Sequence, residues 1–227
     1  MNSKTAILIF ANSAKKEASL KPFLSSKDIF ETLNAQTLRI VKKAGLPYFL
    51  YSEKQQTGQT FGERFTNAIQ SVYDKGFDTV ITIGNDTPHL TTNHILKTVE
   101  KLQKHDIVLG PSTDGGFYLM GIKKSHFNVE TFLKLPWNTS KLNRSITKLK
   151  ASKKLNITFL EVLTDLDKAS DIKLIVDSYR ALPISIKELL NVFASTEKKI
   201  VSKPTFFVEN FILQQQFNKG SPALLLL

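Results

Sequence analysis

The sequence contains no cysteine, which excludes both a disulfide framework and a zinc site built from thiolates. The apolar runs at its two ends, residues 6–10 and 224–227, are far too short for a signal peptide or a membrane span. Its four histidines lack metal-ligand spacing, and the Walker, dinucleotide-binding and serine-hydrolase glycine motifs are absent. We therefore expect a soluble, cytoplasmic protein.

The chain has 227 residues, a hydrophobic fraction of 41% and 16 phenylalanines, which is enough to form one large α/β domain. Its net charge of +11 raises the question of a nucleic-acid partner. The basic residues, however, are scattered along the chain as lysine pairs. In the densest segment, Lys141, Arg144 and Lys148 share one face of a predicted helix. A solvated helix face explains them better than a nucleic-acid or polyphosphate surface, so we expect no specific nucleic-acid partner.

Strands and helices alternate along the first half of the chain, which indicates a mostly parallel sheet covered by helices on both faces. The stretch 116–122 is predicted to return as an antiparallel strand after a glycine turn, which would make the sheet mixed. The other predicted strands are residues 4–10, 48–51, 79–84, 107–109 and 157–162, and the predicted helices are residues 28–44, 61–75, 92–104, 141–154, 165–180 and 185–193, with a loop or short helix at 12–26.

Asp86 is the first candidate for chemistry. It follows a β-branched apolar run, residues 79–83, that is typical of a buried parallel strand, and Pro88 stiffens the turn after it. The carboxyl ends of such strands are where open α/β folds bind ligands. A lone carboxylate at this edge suits a hard divalent cation such as Mg²⁺. An Asx-turn or a helix N-cap explains the same residue without a function.

Asp114, Gly115 and Gly116 form the second candidate loop, because glycine tolerates positive φ and lets a ligand come close. This loop follows Asp86 by one strand–helix unit, so both should emerge at the same sheet edge, although a simple hairpin turn is the alternative. Further acids at 165, 167 and 171 open a later helix. Helix capping explains them, and completing a metal shell is the functional alternative.

Two other side chains have a functional and a structural interpretation. Arg64, in the first turn of a predicted helix, could bind a phosphate through two hydrogen bonds or pair with an acid of the protein. Trp137, the single tryptophan, could be a platform for a sugar or base, although a core position is more common for this residue.

Five motifs occur in one order along the chain: Phe61-Gly-Glu-Arg64, Ile83-Gly-Asn-Asp86-Thr-Pro88-His-Leu90, Val108-Leu-Gly-Pro111-Ser-Thr-Asp114-Gly-Gly-Phe-Tyr118-Leu-Met-Gly121, Trp137-Asn-Thr139 and Asp165-Leu-Asp167. Together they resemble one bacterial family of glycosyltransferase-A-like proteins, the radical-SAM/selenodomain-associated transferases, long called a domain of unknown function. The resemblance covers roughly residues 4 to 180, and the chain is similar more distantly to molybdenum-cofactor and phospholactate nucleotidyltransferases.

The resemblance implies a nucleotide-diphospho-sugar transferase fold, a Rossmann-like α/β/α sandwich. We expect it over residues 1–182, followed by a C-terminal helical extension and tail at 183–227. Its first half would bind a nucleotide and its second half the acceptor. The expected site has Asp86 and Asp114 as catalytic residues, Asp86 and Asp167 as ligands of Mg²⁺ or Mn²⁺, and Arg64, Gly115, Gly116, Trp137 and Thr139 as substrate contacts.

The chain departs from this family after the first strand. Relatives usually have a glycine-containing loop that ends in a Lys-Thr-Arg-Leu-like phosphate clasp, whereas residues 11–23 contain neither glycine nor arginine. Lys16 and Lys21 are the candidate substitutes, although a lysine does not reproduce the planar fork of arginine.

These features support a metal-dependent transferase that uses a nucleotide-activated donor, with glycosyl transfer favoured over nucleotidyl transfer. A non-catalytic binding module on the same fold is the second hypothesis, and nucleic-acid binding is the third. The acceptor and the oligomeric state are not encoded in any motif.

Overall fold

The computed structural model describes residues 4–22, 27–153 and 155–201, so the predicted tail beyond residue 201 lies outside the described residues. The strands are β1 (Thr5–Phe10), β2 (Tyr48–Tyr51), β3 (Thr79–Ile83), β4 (Ile107–Pro111), β5 (Phe117–Lys123) and β6 (Ile157–Phe159). The helices are α1 (Ala14–Leu20), α2 (Lys27–Ala44), α3 (Phe61–Asp74), α4 (Thr92–Leu102), α5 (Val129–Leu133), α6 (Leu142–Lys153), α7 (Ala169–Val176) and α8 (Ile184–Val201), with a 3-10 helix at Lys124–His126.

These six strands form one sheet in the order β2-β1-β3-β5-β4-β6. All paired strands are parallel except β5, which runs antiparallel between β3 and β4. The mixed α/β sheet and the returning strand are therefore confirmed. Because β5 runs the opposite way, its first residues lie at the same sheet edge as the carboxyl ends of β1, β3 and β4.

Alternate side chains of each central strand pack on opposite faces of the sheet, as the strand geometry requires. On β1, Ala6 and Leu8 join the core cluster that includes side chains of α3, α5 and α6. Their neighbours Ile7 and Ile9 join the cluster that includes side chains of α2 and α4. Both faces of the sheet are therefore buried, which explains why the strand sequences are apolar throughout.

A third hydrophobic cluster lies among helices. It joins side chains of α1 and α2 to those of α7 and α8. Ile186 and Leu190 of α8 are fully buried in it, together with Ile29 and Phe30 of α2. The described part of the predicted C-terminal extension thus packs on the helices that flank β1.

Some element boundaries differ from the predictions. The helix predicted to reach Arg180 ends at Val176 with Asp177 as its C-cap, and Tyr179 just beyond it is 90% exposed, so this segment has no packed face that would extend the helix. The last predicted strand ends at Phe159, although Leu160 and Leu163 still donate backbone hydrogen bonds to β4. On α6, the exposed basic face was predicted correctly, since Arg144 and Lys148 are solvent-exposed. No helix within the described ranges is long and apolar enough to cross a membrane.

The packing of α8 can be tested with two isoleucines of the same helix. Ile186→Ala should lower the free energy of unfolding by about 2–5 kcal/mol, because it leaves a cavity in the third cluster. Ile184 is 76% exposed, and Ile184→Ala should change that free energy by no more than about 0.5 kcal/mol. Urea unfolding of both variants provides the measurement, and equal effects would show that α8 does not pack as described.

Candidate active site

A cleft of about 420 Å³ opens at the sheet edge where β1 and β3 end and β5 begins. Ligand pockets commonly occupy about 300–1,000 Å³, so its size suits a small organic molecule. Carbonyl, amide and carboxylate groups from several loops line much of the wall. Of the residues predicted for the site, the wall includes Asp86, Asp114, Arg64, Gly116, Trp137, Thr139 and Asp167.

Asp86 lies in this cleft, with 26% of its side chain exposed. Its Oδ2 accepts a hydrogen bond from Nζ of Lys21 at 3.1 Å. The nearest following helix, α4, begins after Thr91 as its N-cap, so Asp86 does not cap a helix. The carboxylate therefore faces other parts of the chain at the sheet edge, which is the placement that a functional role requires.

Asn85 has a structural role beside it. Its buried side-chain amide donates to Oδ1 of Asn34 on α2 and to the carbonyl of Asn12 after β1. These hydrogen bonds hold the loop after β3 against two other segments. Asn85 thus links two loops through a neutral side chain. In a pair of acids, this position would instead provide a second carboxylate beside Asp86.

A distant segment, residues 163–167, brings two more acids to Asp86. Leu166 donates its backbone N–H to the carbonyl of Asp86 at 2.8 Å, and Thr87 donates its hydroxyl to Asp165. Asp167 then contacts the same ammonium group as Asp86, that of Lys21. Asp171 is different: its carboxylate accepts backbone hydrogen bonds from residues 167 and 168, so for this acid the capping interpretation is confirmed.

Lys21 lies at the centre of these acids. Its Nζ is 2.9 Å from Oδ1 of Asp167, 2.9 Å from the carbonyl of Leu166 and 3.1 Å from Oδ2 of Asp86. Glu17, one turn earlier on α1, is 3.5 Å away. Burial alone would lower the pKa of Lys21, but the three carboxylates, Asp86 foremost, raise it above its ordinary value.

The other predicted lysine, Lys16, is exposed and lies outside the wall of the cleft. Both lysines were predicted as substitutes for the family's phosphate clasp. The structure instead places the ammonium of Lys21 among acids and the side chain of Lys16 in solvent. Neither lysine is among the residues that line the cleft.

Crowding of acids alters their titration. Burial, and after it the charge of Asp86, raises the pKa of Asp165 well above its ordinary value, although the hydrogen bond from Thr87 opposes this. Burial also raises the pKa of Asp167, although the ammonium of Lys21 partly opposes it. In a protein with a net charge of +11, the described residues of the cleft wall include five carboxylates and only one cation, Arg64.

Arg64 and an aromatic wall, which includes Trp137, also line the cleft. Nη1 of Arg64 donates to the carbonyl of Gln59 at 2.8 Å, so its partner in the protein is a backbone group. Trp137 is half-buried, stacks edge-on to Phe65 with 5.0 Å between ring centroids, and donates its indole N–H to Phe132. It thus belongs partly to the core and partly to the cleft wall.

The predicted turn after β4 is confirmed, and it orients Asp114. Oδ1 of Asp114 accepts hydrogen bonds from the hydroxyl of Ser112 and, at 2.9 Å, from the backbone of Gly116. Gly115 has a φ of 94°, and a Cβ there would come within 2.9 Å of Ser140. Glycine at this position therefore lets the turn touch the loop that has Thr139, whose hydroxyl donates to the carbonyl of Pro136.

The loop after β1 is stabilised by acids. Ser13 donates both its backbone N–H and its hydroxyl to Glu53, each at 2.7 Å, and these bonds lower the pKa of Glu53. Asn12 donates to the buried carboxylate of Glu17 at 3.0 Å. No sequence pattern identified Glu17 or Glu53, or predicted that Asp165 accepts a hydrogen bond from Thr87. The partners of Glu53 and Asp165 are distant from them in the sequence.

The predicted ligands of Mg²⁺ or Mn²⁺, Asp86 and Asp167, do bind one cation together, but that cation is the ammonium of Lys21. Among the residues that the structure describes, no three acids or histidines are arranged to hold a metal ion. While Lys21 is bound between the two carboxylates, a divalent ion cannot take the same position beside them.

Comparison with known proteins supports the fold. Residues 34–139 match the model of a family described as "Uncharacterized protein conserved in bacteria (DUF2064)", which confirms the resemblance drawn from the motifs. No curated protein matches the sequence. A solved protein from Desulfovibrio desulfuricans G20, proposed to be a nucleotide-diphospho-sugar transferase, superposes with a TM-score of 0.72 at 20% identity, covering 87% of this chain and 98% of that chain.

Two other solved structures are more distant. The Mycobacterium tuberculosis H37Rv protein Rv0371c, solved in complex with manganese, has a TM-score of 0.44 at 12% identity and covers 78% of this chain and 100% of its own. A 4-diphosphocytidyl-2C-methyl-D-erythritol synthase from Anaerococcus prevotii DSM 20548 has a TM-score of 0.47 at 10% identity, covering 86% and 96%. The superposition on the Desulfovibrio desulfuricans protein, with its TM-score of 0.72, shows that the chain has the nucleotide-diphospho-sugar transferase fold that its motifs predicted.

The raised pKa of Asp165 makes a testable contribution to stability. The folded protein keeps the proton of Asp165 at pH values where the unfolded chain has lost it, so this residue destabilises the fold as pH rises above about 4. Asp165→Asn retains an acceptor for Thr87 and removes this loss. The stability of the variant relative to the natural protein should therefore increase with pH.

Urea unfolding of both proteins between about pH 4 and pH 8 would measure that difference, which cancels the titration of the groups they share. Asp177→Asn, an exposed acid after α7, is the control and should show no such trend. A stability difference for Asp165→Asn that does not vary with pH would contradict the assigned environment of this carboxyl.

Proposed function

We propose that the cleft binds a nucleotide-activated donor and that the protein transfers the glycosyl group of this donor to an acceptor. The observation that supports this most directly is the cleft of about 420 Å³ at the carboxyl edge of the sheet, with Asp86 in its wall. Ligands of open α/β folds bind at this edge. The nucleotide-diphospho-sugar transferase fold of the chain supports the class of donor.

Arg64 is the residue that we assign to the diphosphate of the donor. In the part of the cleft wall that the structure describes, it is the one cation, and a guanidinium has five N–H donors, of which one is used by the carbonyl of Gln59. Two of the remaining donors can bind a phosphate side by side, which lysine cannot do. As the diphosphate becomes the leaving group, its growing negative charge would be stabilised by Arg64.

Asp114 is the residue that we assign as general base. Its Oδ1 is held by Ser112 and Gly116, and this fixes the carboxylate as proton abstraction requires. In the proposed reaction, Asp114 takes the proton of an acceptor hydroxyl, and the acceptor oxygen forms a bond to the anomeric carbon. The bond from that carbon to the diphosphate breaks, and the nucleoside diphosphate leaves.

The aromatic wall would bind the donor's sugar or base. Phe61 and Trp137 both line the cleft, with 5.8 Å between their ring centroids. Gly62 permits this arrangement, because a Cβ at that position would lie 2.5 Å from Cδ1 of Trp137. A cleft with both an aromatic wall and polar loops suits a ligand with one apolar face and several hydroxyl groups.

Dependence on Mg²⁺ or Mn²⁺, expected from the family resemblance, is not part of this proposal. Asp86 and Asp167 would be the ligands, and such an ion would neutralise the leaving diphosphate. Both carboxylates, however, are bonded to Lys21. The chemistry assigned above therefore rests on side chains of the protein alone.

A non-catalytic binding module is the second candidate, and one observation favours it. Two groups that could bind phosphate, the backbone N–H of Ser13 and the ammonium of Lys21, are both occupied by the protein's own carboxylates. A cleft with these groups occupied could retain a ligand site and lack turnover.

Binding of the donor can be tested through Arg64. Arg64→Ala should weaken the binding of nucleoside diphosphates and nucleotide sugars by about 10- to 100-fold, because it removes charge-assisted hydrogen bonds to phosphate. Arg39→Ala, an exposed arginine on α2, should leave binding unchanged. Isothermal titration of both variants and the natural protein gives the affinities. Failure of every nucleotide to bind at several millimolar, with or without Mg²⁺, would contradict the proposal.

The products distinguish the versions of the reaction. Glycosyl transfer releases a nucleoside diphosphate from a nucleotide sugar, whereas nucleotidyl transfer releases pyrophosphate from a nucleoside triphosphate. Binding without either product would identify the non-catalytic module.

A further inference from the structure

We infer that the ammonium of Lys21 takes the place of a divalent cation between Asp86 and Asp167, so that any metal ion entering this site must displace it. The inference rests on the proposed function only in that this cleft is where the donor would bind. The competition itself is a property of three side chains of the protein.

The geometry shows an occupied cation site. Nζ of Lys21 lies 3.1 Å from Oδ2 of Asp86 and 2.9 Å from Oδ1 of Asp167, the distances of charge-assisted hydrogen bonds. The carbonyl of Leu166 accepts a third hydrogen bond at 2.9 Å. An ammonium has three N–H donors, so all of them have partners. One carboxylate oxygen of each acid is thereby used by the lysine.

Charge explains why the site needs a cation. Asp86 and Asp167 converge on one point with the buried Glu17 at its side, and Asp165 lies beyond Asp86. Removing Lys21 would leave these acids facing one another without its positive charge, which is strongly unfavourable. A divalent cation satisfies the same set of oxygen donors, because Mg²⁺ and Mn²⁺ prefer carboxylate and carbonyl oxygens.

The position of the ammonium is built into α1. The helix begins at Ala14, which is buried in the third hydrophobic cluster, and Glu53 holds the preceding Ser13 by two hydrogen bonds. Lys21 follows the last turn of this helix as its C-cap, and its backbone N–H donates to the carbonyl of Glu17. The packing of α1 thus delivers the side chain of Lys21 to the acids, with 12% of it exposed.

The test is a Mn²⁺ titration of the full chain, monitored through the electron paramagnetic resonance signal of free Mn²⁺. The natural protein should bind Mn²⁺ weakly, and Lys21→Met should bind it about 10- to 100-fold more tightly, because Asp86 and Asp167 become available. Lys16→Met, an exposed lysine of the same helix, is the matched control and should behave as the natural protein. Adding Asp86→Asn to Lys21→Met should abolish the gain.

Thermal unfolding is the second measurement, because Lys21→Met leaves buried acids unpaired. Mn²⁺ should raise the Tm of Lys21→Met by more than that of the natural protein, and a variant that folds only with Mn²⁺ supports the inference. Equal Mn²⁺ affinity with and without Lys21, a gain that survives Asp86→Asn, or a variant that stays unfolded in Mn²⁺ would each overturn it. Neither measurement uses a nucleotide, so both test the inference even if the protein binds no donor.

Discussion

The ammonium of Lys21 joins three parts of the chain that are distant in sequence. It links the end of α1 to Asp86 after β3 and to Asp167 before α7. The backbone hydrogen bond from Leu166 to Asp86 holds the last two together. Without a cation at this point, the acids would repel one another and separate the loops. The shape of the cleft edge at Asp86 therefore depends on one ion-pair network.

The charge of the cleft has the opposite sign to the net charge of the protein. Arg144 and Lys148 of α6 face solvent, whereas the described lining of the cleft has five acids and one arginine. A phosphate-bearing ligand would therefore bind at Arg64 and the aromatic wall. On the side of Asp86, the positive charge of Lys21 is already used by carboxylates. The two sides of the cleft differ in the kind of group that they accept.

Two of the glycines in the motifs act through contacts that the sequence does not reveal. Gly62 makes room for Trp137, and Gly115 makes room for Ser140, so both keep the loop at residues 137–140 against the rest of the cleft. The same loop follows α5, whose Phe132 accepts the indole hydrogen bond of Trp137. These motifs therefore describe one wall assembled from three segments, which explains why they occur together.

Local patterns were sufficient for the fold and for half of the site. The apolar run of β3, the amphipathic spacing of α3 and the turn at Gly115 each carry their own signal within a few residues. They placed Asp86 and Asp114 at one sheet edge and Arg64 at the start of a helix, and the structure brings all three into one cleft. The length of α7 and the course of the chain after β6 were less predictable, because tertiary contacts decide where those elements end.

The sequence by itself determined the mixed α/β sheet and the edge where its polar loops meet, because strand periodicity and glycine turns are local properties. Only the tertiary structure decided which charges meet there. Lys21 and Asp86 are 65 residues apart, and Thr87 and Asp165 are 78 apart. Electrostatic partners are chosen by distance in space, so a lysine predicted to bind phosphate became the cation of an acidic cluster.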